Sequence, residues 1–256
     1  NNLSGNLQHA NQTVRTFFTP RYAAKTSRSG DSVIVIDRDN TTLLVSTLDG
    51  AGNTEDDNFT VATTDNAGRD QLIPLFSNGE MMGLQILNDT IVVFRRGEAE
   101  TYDLQSGLRN IFPIDCVSKR SILLTPYGIV FAGQAGIYLM ASDGSGVKIL
   151  NPKWKNYYDG SYFLDGTTTS YLTSTMRQGI ISGYSPQYHL GLFHVTAVNK
   201  SGGTESLCYI INFEKDKWFI RQFNIGTNAA ITAFATRIDN SFVIQSSVSL
   251  FSSDMI

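Results

Sequence analysis

Few residues in this chain have the types and spacing that chemistry requires. His189 and His194 are the clustered pair among its 3 histidines. They fall on a predicted pair of strands, where an odd spacing sends side chains to opposite faces. A shared metal is therefore not expected, and both read as ordinary surface or hydrogen-bonded histidines. Asp37, Asp39 and Asn40, in "DRDNTT", open like an oxygen-rich calcium loop. They lack the central glycine and closing glutamate of such a cage, so a hairpin turn is the better reading. "SDGSG" at 142–146 reads the same way. "AGQAG" at 132–136 is glycine-rich, but no helix opening with Lys-Ser/Thr follows, so it is not a phosphate loop. Glu98 and Glu100 share a short polar loop with no sign of a partnered carboxylate. Neither a Gly-x-Ser-x-Gly elbow nor a His-Glu-x-x-His zinc motif is present. The pattern predicts no catalytic residue, no metal and no cofactor.

Composition narrows the class. The 256 residues are 41% hydrophobic and 17% charged, with a formal charge of -3. Such a chain folds. It is not a general attractor for nucleic acid or anionic lipid. The basic pairs Arg95-Arg96, Lys119-Arg120 and Lys153 with Lys155 read as solvated surface. Cys116 and Cys208 are far apart and have no CxxC companion, which favours two buried thiols over zinc or a disulfide framework. No apolar run approaches the ~20 residues needed to span a bilayer. The first residues, "NNLSGNLQHANQ", do not read as a signal peptide. They also lack an initiator Met, which suggests a fragment or processed product.

The elements that must position any site read as strands. Short runs rich in Val, Ile, Phe, Tyr and Thr dominate, among them "SVIVID", "TIVVFRR", "GIVFAG", "GIYLMAS" and "SLCYIINF". Asp-Gly pairs at Asp49-Gly50, Asp143-Gly144, Asp159-Gly160 and Asp165-Gly166 favour left-handed backbone at tight bends. One hairpin phrase recurs, as "TIVVFRRGEAETYDLQSG", "GIVFAGQAGIYLMASDGSG" and "SFVIQSSVSLFSSD". Aligning Phe94, Phe131 and Ile244 fits a repeat of ~40 to 50 residues, the period of a β-propeller blade. A blade cannot bury both faces alone, whereas radial neighbours cover them and protect the edges. The expected fold is thus all-β, a β-propeller in which each repeated hairpin is the middle of one blade. A β-sandwich with regular turns is the alternative.

Three segments break the rhythm. Residues 1–30 are expected to be an N-terminal arm or a segment that closes the ring, ahead of blades over 31–256. Residues 50–70 read as an exposed, polar insertion. Residues 151–178 are rich in aromatics and Thr and read as a decorated loop or short helix. Within it, Trp154, Tyr157 and Tyr158 are candidate interface anchors, because aromatics dominate contact energies. Phe94, Phe131, Tyr138 and Trp218 are assigned to packing within and between blades.

The stretch "DCVSKRSILLTPYGIVFAGQAGIYLM" resembles a phrase of β-propeller structural proteins in tailed-bacteriophage tails and head-to-tail adaptors. There a Cys or small-residue segment passes through a Ser-Ile step to a strand, then to a Gly-aromatic and a Gly-Ile-Tyr strand. Cys116, Ser121, Ile122, Gly128, Phe131, Gly136, Ile137 and Tyr138 fill those places. Further on, "GYSPQYHLGLFHVTAV" supplies a Tyr-x-Pro turn, and Tyr209, Asn212 and Trp218 fill a "Y-x-x-N-x-x-x-x-x-W" close. The likeness covers residues 110–225. It implies a virion protein, made in the host cytoplasm, that works by protein–protein assembly without covalent chemistry. The implied partners are other tail, adaptor or portal-proximal proteins and a homo-oligomeric ring. DNA would be met only through proximity to its channel, and no membrane is implied. A carbohydrate-binding, receptor-recognising propeller is the alternative, with a glycan-active propeller enzyme behind it.

Overall fold

The structure is a computed structural model. It describes residues 79–87, 90–103, 106–150, 158, 172–198, 203–222, 231–237 and 240–246 in detail. It also gives the strand paths at 22–25, 33–36, 42–45, 71–74 and 250–252. Among these residues the chain is almost entirely antiparallel strand. Consecutive strands pair as meanders, in five sheets.

The first sheet is β1 (Tyr22–Lys25), β2 (Val33–Ile36), β3 (Thr42–Val45) and β4 (Gln71–Pro74). The second is β5 (Met81–Leu87), β6 (Thr90–Arg95), β7 (Ala99–Asp103) and β8 (Arg109–Phe112). The third follows a 3-10 turn at Lys119–Ser121 and holds β9 (Leu123–Thr125), β10 (Gly128–Ala132), β11 (Ile137–Ala141) and β12 (Val147–Ile149). A short helix α1 (Ser174–Gln178), N-capped by the Thr173 side chain, precedes the fourth. That sheet is β13 (Ile181–Ser185), β14 (Leu190–Val198), β15 (Thr204–Asn212) and β16 (Lys217–Gln222). The fifth has three strands among the described residues, β17 (Ile231–Thr236), β18 (Phe242–Ser246) and β19 (Leu250–Ser252). The chain divides into two compact units. One comprises Asn1–Arg95 with Ala99–Ile111, and the other Arg96–Glu98 with Phe112–Ile256.

Two copies of the repeated phrase are the central hairpins β6–β7 and β10–β11 of four-stranded sheets, and the third is β18–β19, the last two described strands of the fifth. The sequence alignment slips in one of them. Phe131 pairs with Tyr138, and Ile244 with Phe251, each one step beyond the pair that closes the turn. Phe94 is itself the closing residue, opposite Ala99, and Tyr102 pairs with Ile91. The structural equivalent of Phe94 is therefore Ala132. Because strand side chains alternate, a one-residue slip places Phe94 and Phe131 on opposite faces of their sheets. Tyr22–Lys25 lies within the segment expected to be an arm or a ring-closing segment, and it is a paired strand of the first sheet. The expected insertion at 50–70 lies outside the described residues.

Burial shows why these strands need neighbours. Every residue of β6 and of β10 is buried, on both faces. In the second unit the alternation can be followed face by face. Phe193, Val195, Leu207 and Tyr209 of the fourth sheet pack with Val130 and Ala132 of the third. The intervening positions Leu192, Cys208 and Ile210 pack with Ile231, Phe242 and Ile244 of the fifth. Two-sided burial of large apolar side chains supplies the main driving force, about 1.5–3 kcal/mol for each fully buried Val, Leu, Ile or Phe. The opening strands of successive sheets lie against one another, β1 with β5 in the first unit, β9 with β13 and β13 with β17 in the second.

Candidate functional site

The residues singled out in the sequence separate into core and surface. Phe94 and Phe131 are fully buried. Tyr138 is half-buried and stacks on Phe131 at 5.8 Å between ring centroids. Trp218 is half-buried against the core shared by the third and fourth sheets. Tyr158, expected as an interface anchor, is 0% exposed and tilts against Tyr209 at 6.1 Å. Burial pushes its phenol well above the usual range. It is a core residue, and its aromatic neighbourhood is the reason. Trp154 and Tyr157 lie outside the described residues. The basic pair Arg95-Arg96 is not a solvated one either, since Arg95 is fully buried and its Nη1 donates to the Gly79 carbonyl at 2.8 Å. Glu100 is buried within β7 and does not lie in a polar loop.

One end of β9 and β13 carries a buried polar junction. The Ser118 hydroxyl donates to the Ile180 carbonyl at 2.6 Å, tying the approach to the third sheet to the start of the fourth. The Ser121 hydroxyl donates to the Ser118 carbonyl at 2.7 Å and accepts from the Ala132 amide at 3.0 Å. Ser182 donates to the Arg120 carbonyl at 3.3 Å, and the Arg120 guanidinium donates to the Thr232 carbonyl of β17. One 3-10 turn thus touches three successive sheets. Cys116 and Cys208 are buried and unbridged. Burial pushes the Cys116 thiol up to about 12 and the Cys208 thiol higher still, so neither is a ready nucleophile.

The other end of the same strands carries an aromatic platform. Tyr127 follows Pro126 in the β9–β10 turn, where its amide donates to Thr125 Oγ1 at 3.2 Å. Gly128 completes that turn at φ +132, where an added Cβ would stand 2.1 Å from the Met140 carbonyl oxygen. Only glycine fits there. Tyr127 stacks on Phe213 of the β15–β16 turn, with centroids 5.1 Å apart and planes 17° from parallel. Gly191 makes room for Phe213, since a Cβ there would lie 2.9 Å from its ring. His189 closes the β13–β14 turn at φ 52 and its carbonyl accepts from the Phe213 amide at 3.0 Å. Its Nδ1 lies 3.3 Å from the Tyr127 hydroxyl and 3.5 Å from that of Tyr184. Tyr127 and Tyr188 remain 37% and 40% exposed. Sequence reasoning passed over this group. The available signal was a pair of turns, "TPYG" and "SPQYHL", that each join a Pro to a Tyr at the same place in successive sheets.

Among the described residues, His194 Nε2 lies 2.7 Å from Ser206 Oγ, a distance at which a base can meet a hydroxyl. Burial holds His194 down to about 4, so it is neutral near pH 7. The pair satisfies a buried imidazole between packed sheets. Among the described residues no group of three or more His, Cys, Asp or Glu is placed to hold a metal ion. No helix of the described residues is long and apolar enough to cross a membrane.

No protein-family model matches the chain, and no curated protein does. Some solved structures are similar at low scores. The extracellular domain of a one-component system from B. thetaiotaomicron is 11% identical at a TM-score of 0.41, over 97% of this chain and 33% of that one. The tricorn protease is 11% identical at a TM-score of 0.46, over 91% of this chain and 21% of that one. The WD40 domain of SCAP from fission yeast is 10% identical at 0.38, over 89% of this chain and 58% of that one. The chain thus spans about a third of the first of these structures. At such scores and identities, closure of the fold and function must be argued from the chain itself.

Proposed function

We propose that the sheets are successive blades of a β-propeller, and that the chain is a virion structural component of a tailed phage, in the tail or head-to-tail region. It acts by assembly with other virion proteins and performs no covalent chemistry. The observation that carries this reading is where the phage-like phrase falls. Ser118 ties the approach to the third sheet to the start of the fourth, and Ser121 anchors the 3-10 turn to Ala132 of the third. Tyr209 is core, and Trp218 packs against that core. The Asn212 side chain accepts from the Lys215 amide at 2.8 Å and shapes the β15–β16 turn. The resemblance therefore falls on residues that pack a sheet, shape its turns and tie it to the next. Contact between the opening strands of successive sheets supports radial stacking, because such strands line the axis of a propeller.

Mass spectrometry of purified phage particles is the direct test. The chain should be present in a fixed ratio to the other tail and adaptor proteins. Its absence from intact particles, with expression confirmed in the infected cell, would overturn the assignment. For the architecture, electron microscopy of the isolated chain should show a ring with a central channel, and an elongated stack of sheets would contradict it.

A further inference from the structure

We infer that the platform formed by Tyr127, Phe213, His189, Tyr184 and Tyr188 is a carbohydrate-binding subsite that seats a pyranose ring on Tyr127. The inference goes beyond assembly and does not depend on it. One face of the Tyr127 ring is covered by Phe213, at 5.1 Å and 17°. The His189 ring meets it edge-on, at 6.4 Å and 78°. Tyr127 nevertheless keeps 37% of its surface exposed. An aromatic face carries partial negative charge and its rim carries the polar handle. The axial C–H groups of a pyranose carry partial positive charge and form a flat patch of ring size. Its equatorial hydroxyls point sideways, toward whatever surrounds the aromatic ring. Here those surroundings are the Tyr127 and Tyr184 hydroxyls about His189 Nδ1. Exposed Gln187 and Tyr188 stand on the same turn.

The platform is also preorganised, which lowers the ordering cost of binding a small ligand. Gly128 fixes the turn on which Tyr127 stands, Gly191 leaves room for the Phe213 ring, and the Phe213–His189 backbone bond joins the turns of β13–β14 and β15–β16.

The test is NMR titration of the intact chain with cellotriose, maltotriose and chitotriose, following the ring resonances of Tyr127 and Tyr188. At least one trisaccharide should shift them saturably with a Kd in the millimolar range. Tyr127→Ala should weaken that binding by about tenfold or more, and Tyr127→Trp should retain it, with circular dichroism confirming the fold of each. If the Ala variant fails to fold, Tyr127→Phe keeps the stack and loses the rim hydroxyl, and its affinity should fall by about threefold. The inference is overturned if no trisaccharide shifts the rings, if the shifts survive Tyr127→Ala in a folded protein, or if Tyr127→Phe leaves affinity unchanged. It is equally overturned if a proline-rich peptide saturates the same rings while no saccharide does. A negative result here leaves the particle assignment standing, because that rests on the presence of the chain in virions.

Discussion

The two ends of β9 and β13 are built on opposite principles. At one end hydroxyls are buried and each finds a backbone partner, as Ser118 does at Ile180 and Ser121 at Ala132. At the other end aromatic rings stand at the surface, held by turns and by each other. A buried polar group without its partner is costly, so the first end specifies one arrangement of neighbouring sheets. An exposed ring contributes little to folding and stays free to meet a ligand. Changes at the junction should therefore act on stability, and changes at the platform on binding.

The largest effect should come from the core beside the junction. Phe131 is fully buried, next to Ala132. Phe131→Ala should cost about 3–5 kcal/mol, read by denaturant unfolding. Tyr138 and Trp218 are half-buried, so their Ala variants should cost less. If Trp218→Ala proves the more costly change, the ranking of burial over edge closure is wrong. Protonation of His194 comes next. Its folded value is about 4 against an ordinary 6.5, so between those values the unfolded chain binds more protons. Stability should be full above pH 6.5 and fall as pH drops toward 4. The share due to His194 is about 2 kcal/mol between pH 7 and pH 5. Comparing the parent with His194→Gln at both values isolates that share, and equal losses in the two proteins would refute it.

Ser121 tests the junction itself. Ser121→Ala leaves the buried Ala132 amide without its acceptor and should cost about 1–3 kcal/mol. Hydrogen exchange should locate the loss, since the Ala132 amide is protected by that bond. Unchanged exchange at Ala132 would mean that the serine is not what holds the turn.

The sequence made the described strands and the β6–β7 and β10–β11 hairpins legible, because runs rich in Val, Ile, Phe, Tyr and Thr are local signals, as is the Asp143-Gly144 bend. The slip at Phe94 was not legible. The turns Arg95–Glu98 and Gly133–Gly136 share no residue pattern that fixes register, and register is set by pairing partners distant in sequence. Tyr158 misled for a related reason. Its segment is polar and aromatic, which suits an exposed contact, but the side chain lies against Tyr209, fifty-odd residues away. The platform was visible only as two Pro-Tyr turns. That they converge depends on how the third and fourth sheets pack, which no local window carries.

The smallest effect on stability, and the sharpest use of the contrast, lies at Tyr127. Removing its ring exposes one face of Phe213 and forfeits a stacked pair, a loss of about 0.5–1.5 kcal/mol. The backbone turn should survive, since its bonds run through Thr125 and Gly128 and do not use the tyrosine side chain. Tyr188→Ser, at a 40% exposed position, should stay within about 0.5 kcal/mol of the parent. Thermal melts of the two variants beside Ser121→Ala decide the matter. The order should run Ser121, then Tyr127, then Tyr188. A Tyr127→Ala loss larger than that of Ser121→Ala would show that the platform holds the sheets together, and the division of labour between the two ends would fall with it.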